Sequence, residues 1–409
     1  VLPDTDRRTT RPTWLLLGPA FVAAIAYVDP GNVAANVSAG AQFGFLLVWV
    51  IVLANVMAGL VQYLSAKLGL VTGRSLPESV AGRTRTPTRI AYWLQAELVA
   101  MATDLAEVVG GAIALYLLFD LPLLVGGLIT GAVSLALLAI QNRRGQRHFE
   151  RVISGLLLII AIGFLTSVFV EPPPAADVAG GLIPLFDGAE SVLLATAMLG
   201  ATVMPHAVYL HSGLARDRHG HPEPGPRRRL LLKATRIDVS LAMLIAGAVN
   251  MSMLLVAATN LQGMDDTDTL EGAHAAVQQT LGPAVALCFA IGLLASGLAS
   301  TSVGAYAGAM IMGGLLRRTY PLLVRRLVTL VPALAILALG VDPTRALVLS
   351  QVVLSFGIPF ALIPLIRLTA DRAVMGADVN HRVTTALGWI VAGLISLLNV
   401  VLIYLTVTG

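Results

Sequence analysis

Long apolar runs alternate with short polar connections along almost the whole chain. Runs of spanning length fall at roughly 13–40, 43–70, 90–119, 121–141, 151–171 and 182–213. Five more follow at roughly 230–260, 272–315, 320–340, 343–368 and 383–407. About 20 apolar helical residues, each rising 1.5 Å, match the roughly 30 Å hydrocarbon core of a bilayer. The pattern predicts an all-α polytopic membrane protein with about eleven transmembrane helices. The eighth run is long enough to tilt or to pass beyond the membrane surface.

Composition strengthens this reading. Hydrophobic residues make up 56% of the chain and charged residues 12%. With a mean hydropathy of +0.82, a soluble domain is excluded. The formal charge of +4 raises the question of nucleic acid, but the basic residues sit in short connections between apolar runs, so none is expected. Arg7, Arg8 and Arg11 precede the first run, and Arg74, Arg83, Arg85 and Arg89 follow the second. Arg143, Arg144, Arg147 and Arg151 lie between the fourth and fifth. Arg216, Arg218, Arg227, Arg228, Arg229, Lys233 and Arg236 lie between the sixth and seventh. Arg317 and Arg318 follow the eighth, and Arg367, Arg372 and Arg382 surround the connection from tenth to eleventh. The alternate connections hold Glu171 and Asp177, then Asp265, Asp266, Asp268 and Glu271. Positive charge is retained on the cytosolic side, so the N-terminus is expected in the cytosol and the C-terminus outside, as an odd number of spans requires. The single cysteine, Cys288, excludes an internal disulfide and reads as inert packing. No signal peptide is expected. The Pro- and Gly-rich stretch from His219 to Arg227 reads as a solvated linker rather than a metal-binding tail.

Within the first run, Asp29 is the only charged residue between Arg11 and Lys67. A carboxylate at membrane depth costs about 3 kcal/mol on insertion scales and needs a compensating partner. Pro30 removes a backbone donor and Gly31 admits left-handed geometry, so the helix should break beside Asp29. Irregular backbone at that depth survives only against protein or a water-filled cavity. With Asn32 three residues on, the break reads as a cation site. The sixth run repeats the device at Met204-Pro205-His206, where no Asp, Glu, Lys or Arg occurs between Glu190 and Arg216. Five spans separate the two breaks, so the two runs enter the membrane from opposite faces. Matching breaks in oppositely oriented halves point to an inverted-repeat transporter.

The donor set has a chemical preference. Asp29 offers a hard anionic oxygen, Asn32 an amide oxygen, and the unwound segments free carbonyls near Ala26 and Ala201. The Met204 thioether suits manganese, iron, cobalt or cadmium better than magnesium or calcium. Gln351, in a run with no charge between Arg345 and Arg367, is placed to complete the shell in a closed state. Asp29 and His206 are candidates for proton exchange. Glu97, Asp104 and Glu107 are seven and three residues apart on one helical face, with Arg325 and Arg326 as expected partners. Three such carboxylates in a membrane read as a proton relay. Asn55, Gln62 and Asn250 read as interhelical hydrogen bonds, and Met251 and Met253 as packing.

Taken as a pair, Asp29-Pro30-Gly31-Asn32 and Met204-Pro205-His206 resemble the motifs of the Nramp family of proton-coupled divalent-metal transporters, in its bacterial manganese-transport branch. The likeness runs from the first span to the eleventh. It implies a LeuT-type bundle of two inverted five-helix repeats, over 13–171 and 172–368. A cytosolic tail covers 1–12, and an eleventh helix with its cytosolic connection covers 369–409. It implies that Asp29, Asn32 and Met204 bind metal through side chains and Ala26 and Ala201 through carbonyls, with Gln351 approaching as the outer vestibule closes. It assigns proton movement to His206, Glu97, Asp104, Glu107, Arg325 and Arg326 with Asp29. The cargo is Mn2+ or Fe2+ with H+ as coupling ion, in the cell membrane, with no permanently bound cofactor and no obligate protein partner. Other readings are a sodium-coupled symporter of a small organic substrate, in which Met204 would be idle, and a metal-permeable channel. An intramembrane metalloenzyme lacks His-Glu-x-x-His, and ATP coupling lacks a Walker-type glycine loop.

Overall fold

Proline and glycine punctuate this chain, and the helices begin and end where they stand. The computed structural model describes residues 16–144, 146–264, 269–318 and 322–408. Arg7, Arg8, Arg11, Asp265, Asp266 and Asp268 of the charge pattern lie outside the described residues, as do the side chains of Arg143, Arg144, Arg147 and Arg325.

The first span is two helices, α1 (Pro19–Ile25) and α2 (Pro30–Phe43), joined by a 3-10 turn at Ala26–Val28 and an extended Asp29. After it come α3 (Val48–Thr72), the short α4 (Leu76–Ala81), α5 (Thr86–Phe119), α6 (Leu123–Arg144) and α7 (Gln146–Val170). A short helix α8 (Ala175–Gly180) precedes the sixth span. That span is again divided, into α9 (Gly188–Thr202) and α10 (Pro205–His219). The remainder is α11 (Pro226–Asn260), α12 (Leu270–Leu281), α13 (Pro283–Leu316), α14 (Leu322–Ala338), α15 (Pro343–Ala370), the single turn α16 (Arg372–Met375) and α17 (Arg382–Thr408). Pro30, Pro205, Pro226, Pro283 and Pro343 each stand at the first turn of a helix. Their missing N–H costs nothing there and their fixed φ is already helical.

Eight described helices, with α9 and α10 taken as one, are long and apolar enough to cross a membrane, and three shorter apolar stretches complete eleven crossings. The expected eighth run from 272 to 315 is not one long helix. Gly282, at φ 90°, divides it into α12 and α13. A left-handed glycine followed by proline can neither continue one helix nor clash at the start of the next.

Apolar helices gain nothing from hiding in one another when lipid is equally apolar, so close contact depends on small residues. A Cβ on Gly110 of α5 would lie 2.0 Å from the Pro30 Cβ, so α2 begins directly against the α5 backbone. Polar pins tie other helices: His211 Nδ1 lies 2.6 Å from Gln62 Oε1, and the Ser212 hydroxyl accepts the Leu76 N–H at 2.8 Å. Gln62 therefore makes the interhelical bond expected of it. The Asn55 amide oxygen finds no partner among the described residues, because that amide packs onto Gly247 of α11 instead. Met253 is buried in the core and Met251 packs against it. Around this interior, α7, α14 and α17 expose large apolar side chains such as Leu158, Val331 and Val400, as a lipid-facing surface must.

Candidate metal site

Asp29 is the point at which both broken spans and α15 meet. Its extended backbone makes it the N-cap of α2, where its carboxylate accepts the Asn32 N–H at 2.8 Å. The second carboxylate oxygen accepts from Gln351 Nε2 at 3.0 Å. All three side chains are fully buried. Gln351 reaches Asp29 because two glycines make room. A Cβ on Gly31 would lie 1.7 Å from its Nε2, and a Cβ on Gly200 of α9 would lie 2.0 Å from its carbonyl oxygen. One residue of α15 is thus clasped between the two breaks. The Gln351 Oε1 is buried and has no hydrogen-bond partner among the described residues.

The second break lies at Val203 and Met204, which leave helical geometry before Pro205 opens α10. Met204 is fully buried, and the helix that ends beside it, α9, packs on both the 3-10 turn and α2. The carbonyls of Tyr27 and Val28 are engaged: Asn32 and Asn250 donate to the first, and Ser296 to the second. Among the described residues no side chain donates to the carbonyl of Ala26 or Ala201. Asn32 also donates to Asn250 Oδ1 at 3.1 Å, while its own oxygen accepts from Asn36 at 2.9 Å. Asn250, Asn36 and Ser296 are thus site-shaping residues that sequence reasoning missed. Asn250 was visible as a lone amide in an apolar run, but only as helix glue. Nothing in the sequence singled out Asn36 or Ser296.

The titratable residues divide. His206 Nδ1 lies 3.3 Å from Thr103 Oγ1, which turns α10 toward α5 one turn before Glu107. Asp104 and Glu107 converge on Arg326 of α14: its Nη1 donates to Asp104, its Nε to Ser134 at 2.9 Å, and its Nη2 lies 3.7 Å from Glu107. Arg326 is buried, and among the described residues neither Glu107 oxygen has a partner at hydrogen-bond distance. Glu107 sits where a Cβ on Gly304 would come within 2.8 Å of it. Glu97 is half-buried, seven residues before Asp104 on α5.

The geometry defines a class: an all-α polytopic membrane protein whose two broken helices carry a buried carboxylate and amide at one break and a buried thioether at the other. The Nramp family model, described as natural resistance-associated macrophage protein-like, matches residues 20–405. The chain belongs to the Nramp family, a family of transporters rather than enzymes. It is 71% identical over 408 residues to the divalent metal cation transporter MntH of Mycobacterium tuberculosis strain H37Rv, covering 100% of this chain and 95% of that one. The manganese transporter of Eremococcus coleocola superposes with a TM-score of 0.86 at 30% identity, over 98% of this chain and 88% of that one. Mhp1, a nucleobase-cation-symport-1 transporter, matches with a TM-score of 0.60 at 15% identity over 96% and 93%, which shows the shared LeuT-type fold alone.

Proposed function

We propose that this protein carries divalent transition-metal ions into the cell by alternating access, manganese foremost and ferrous iron, cobalt and cadmium with it, driven by protons. The observation that carries the reading is the buried Asp29 carboxylate at the meeting of two helix breaks, with a thioether at the other break. A buried carboxylate with two hydrogen bonds but no cationic partner among the described residues is too costly to be packing. The names borne by the mycobacterial relative and the Eremococcus structure support the same cargo.

In this reading the ion is held by Asp29, Asn32, Met204 and the carbonyls of Ala26 and Ala201. An arriving cation displaces the Gln351 amide N–H from Asp29, and rotation of that amide turns its oxygen toward the metal. Hard cations gain little from sulfur and are poorly held, so Met204 supplies the selectivity. Asp29 gives up a proton as metal arrives and takes one up as metal leaves. His206, Glu107, Asp104, Glu97, Arg325 and Arg326 carry the proton away from the metal. The charge alternation of the connections supports a cytosolic N-terminus and an extracytosolic C-terminus in the cell membrane.

Manganese uptake into proteoliposomes with excess external calcium or magnesium tests this. Wild type should be indifferent to the hard cations, Met204→Ala should be blocked by them or carry them, and Asp29→Ala should transport nothing. Wild type that moves no manganese under any pH gradient, or Asp29→Ala with full uptake, overturns the assignment.

A further inference from the structure

Far from Asp29, at the end of the molecule where the basic connections gather, lies a cavity of about 430 Å³. It is formed by the last turns of α3, the first turns of α11 and the connection from α16 to α17. Tyr63, Lys67, Arg229, Lys233, Arg236 and Asp378 line it. Arg229, Lys233 and Arg236 recur at intervals of four and three, so they share one face of α11. The Arg236 guanidinium is set 5.0 Å from the centre of the Tyr63 ring, which fixes its direction. Lys67 is only 8% exposed, and its Nζ donates to Asn380 Oδ1 at 2.8 Å. An ammonium has three donors, so two remain for the cavity. The one carboxylate in the lining, Asp378, is taken by Arg228 at 3.1 Å. Four cations therefore converge on a space whose one carboxylate among the described residues is shared between Lys67 and Arg228, the latter from outside the lining.

We infer that this cavity binds the phosphate of an anionic membrane lipid. Retention of basic residues on one side of the membrane explains their sign but not their convergence. A topology signal works from an exposed loop and gains nothing from burying Lys67, which costs free energy unless an anion accompanies it. Position selects a lipid as the source of the phosphate. The 35 residues of α11 span about 52 Å against a hydrocarbon core of roughly 30 Å, so its first turns stand at headgroup level. Next to the cationic face runs an exposed apolar stripe of Leu230, Ile237, Leu241 and Leu244. A headgroup in the cavity would leave its acyl chains along that stripe. Basic pockets between transmembrane helices at the cytoplasmic surface are a recurrent form of acidic-headgroup site. The inference does not depend on what Asp29 binds.

Native mass spectrometry of the purified full chain, from mixed micelles with equal mole fractions of phosphatidylglycerol and phosphatidylcholine, reads the site directly. Wild type should retain a phosphatidylglycerol in preference to phosphatidylcholine. The exposed triple Arg229→Gln/Lys233→Gln/Arg236→Gln should lose that preference by at least about tenfold, since each surface cation contributes measurably to acidic-lipid binding. Arg85→Gln/Arg317→Gln/Arg318→Gln, with the same charge change elsewhere, should retain it. Lys67→Met should lose it too, with a thermal midpoint showing that the variant is folded. Equal retention by wild type and the cavity triple, or equal loss in both triples, overturns the site. Stabilisation by millimolar inorganic phosphate that the cavity triple abolishes, without any lipid preference, assigns the cavity to a soluble phosphate and overturns the lipid.

Discussion

Gln351 shows how much of the candidate site depends on single atoms. Its side chain occupies the place of a Cβ at Gly31, and its backbone oxygen the place of one at Gly200. The two glycines therefore predict different failures. Gly31→Ala meets the far end of a flexible side chain, which swings aside. Its thermal midpoint should stay close to wild type while manganese uptake falls, because Gln351 no longer reaches Asp29. Gly200→Ala meets a helix backbone that cannot swing, so the variant should lose about 1–3 kcal/mol or more to overpacking. Thermal melts and uptake assays on the two variants distinguish these outcomes, and equal melts would refute the difference. Asp29, Met204 and Gln351 were legible because each is a conspicuous residue in a run without charge. Asn250 was equally conspicuous, yet only the fold shows that its amide meets the Tyr27 carbonyl and Asn32 rather than merely joining two helices.

At the level of elements, both breaks lie just before a proline, Pro30 and Pro205, because a lost donor is a local property. Gly31, expected to release φ, is instead a helical residue of α2 that makes room for Gln351. The division of the expected eighth run was local too, written in Gly282-Pro283, but the continuous apolar character on either side hid it. What locality did not give is how α1 is held. Asp238, in the middle of the helical run of α11, accepts the N–H groups of Gly18 and Ala20 at 2.9 Å each, capping α1 from 218 residues away. N–H groups at a helix start need partners outside the helix, and here a neighbouring helix supplies them. Asp238→Asn should weaken that hold and free α1. Ala23→Cys placed in a Cys288→Ser background is buried in wild type and should be labelled faster by a thiol reagent in the Asp238→Asn variant. Unchanged labelling would mean that the cap does not restrain α1.

Across the whole molecule, α5 and α14 are joined by the buried cluster of Asp104, Glu107 and Arg326. Removing the guanidinium leaves two carboxylates in a dry interior, so Arg326→Gln should cost about 3–5 kcal/mol. Adding Asp104→Asn should recover part of that loss in a detergent melt; an additive double variant would show that the two do not act as a pair. Glu107→Gln keeps the shape but cannot take up a proton, and should reduce proton flux more than manganese affinity in liposomes. By itself the sequence determined the class, the eleven crossings, the two breaks and the residue types at them, because hydropathy and backbone chemistry act within a few residues. Tertiary structure alone decided which of those residues meet. Gln351 comes to Asp29 across 322 residues, and Arg326 comes to Asp104 across 222. Such pairings depend on where small residues let helix backbones approach, a property of two surfaces together and of neither segment alone.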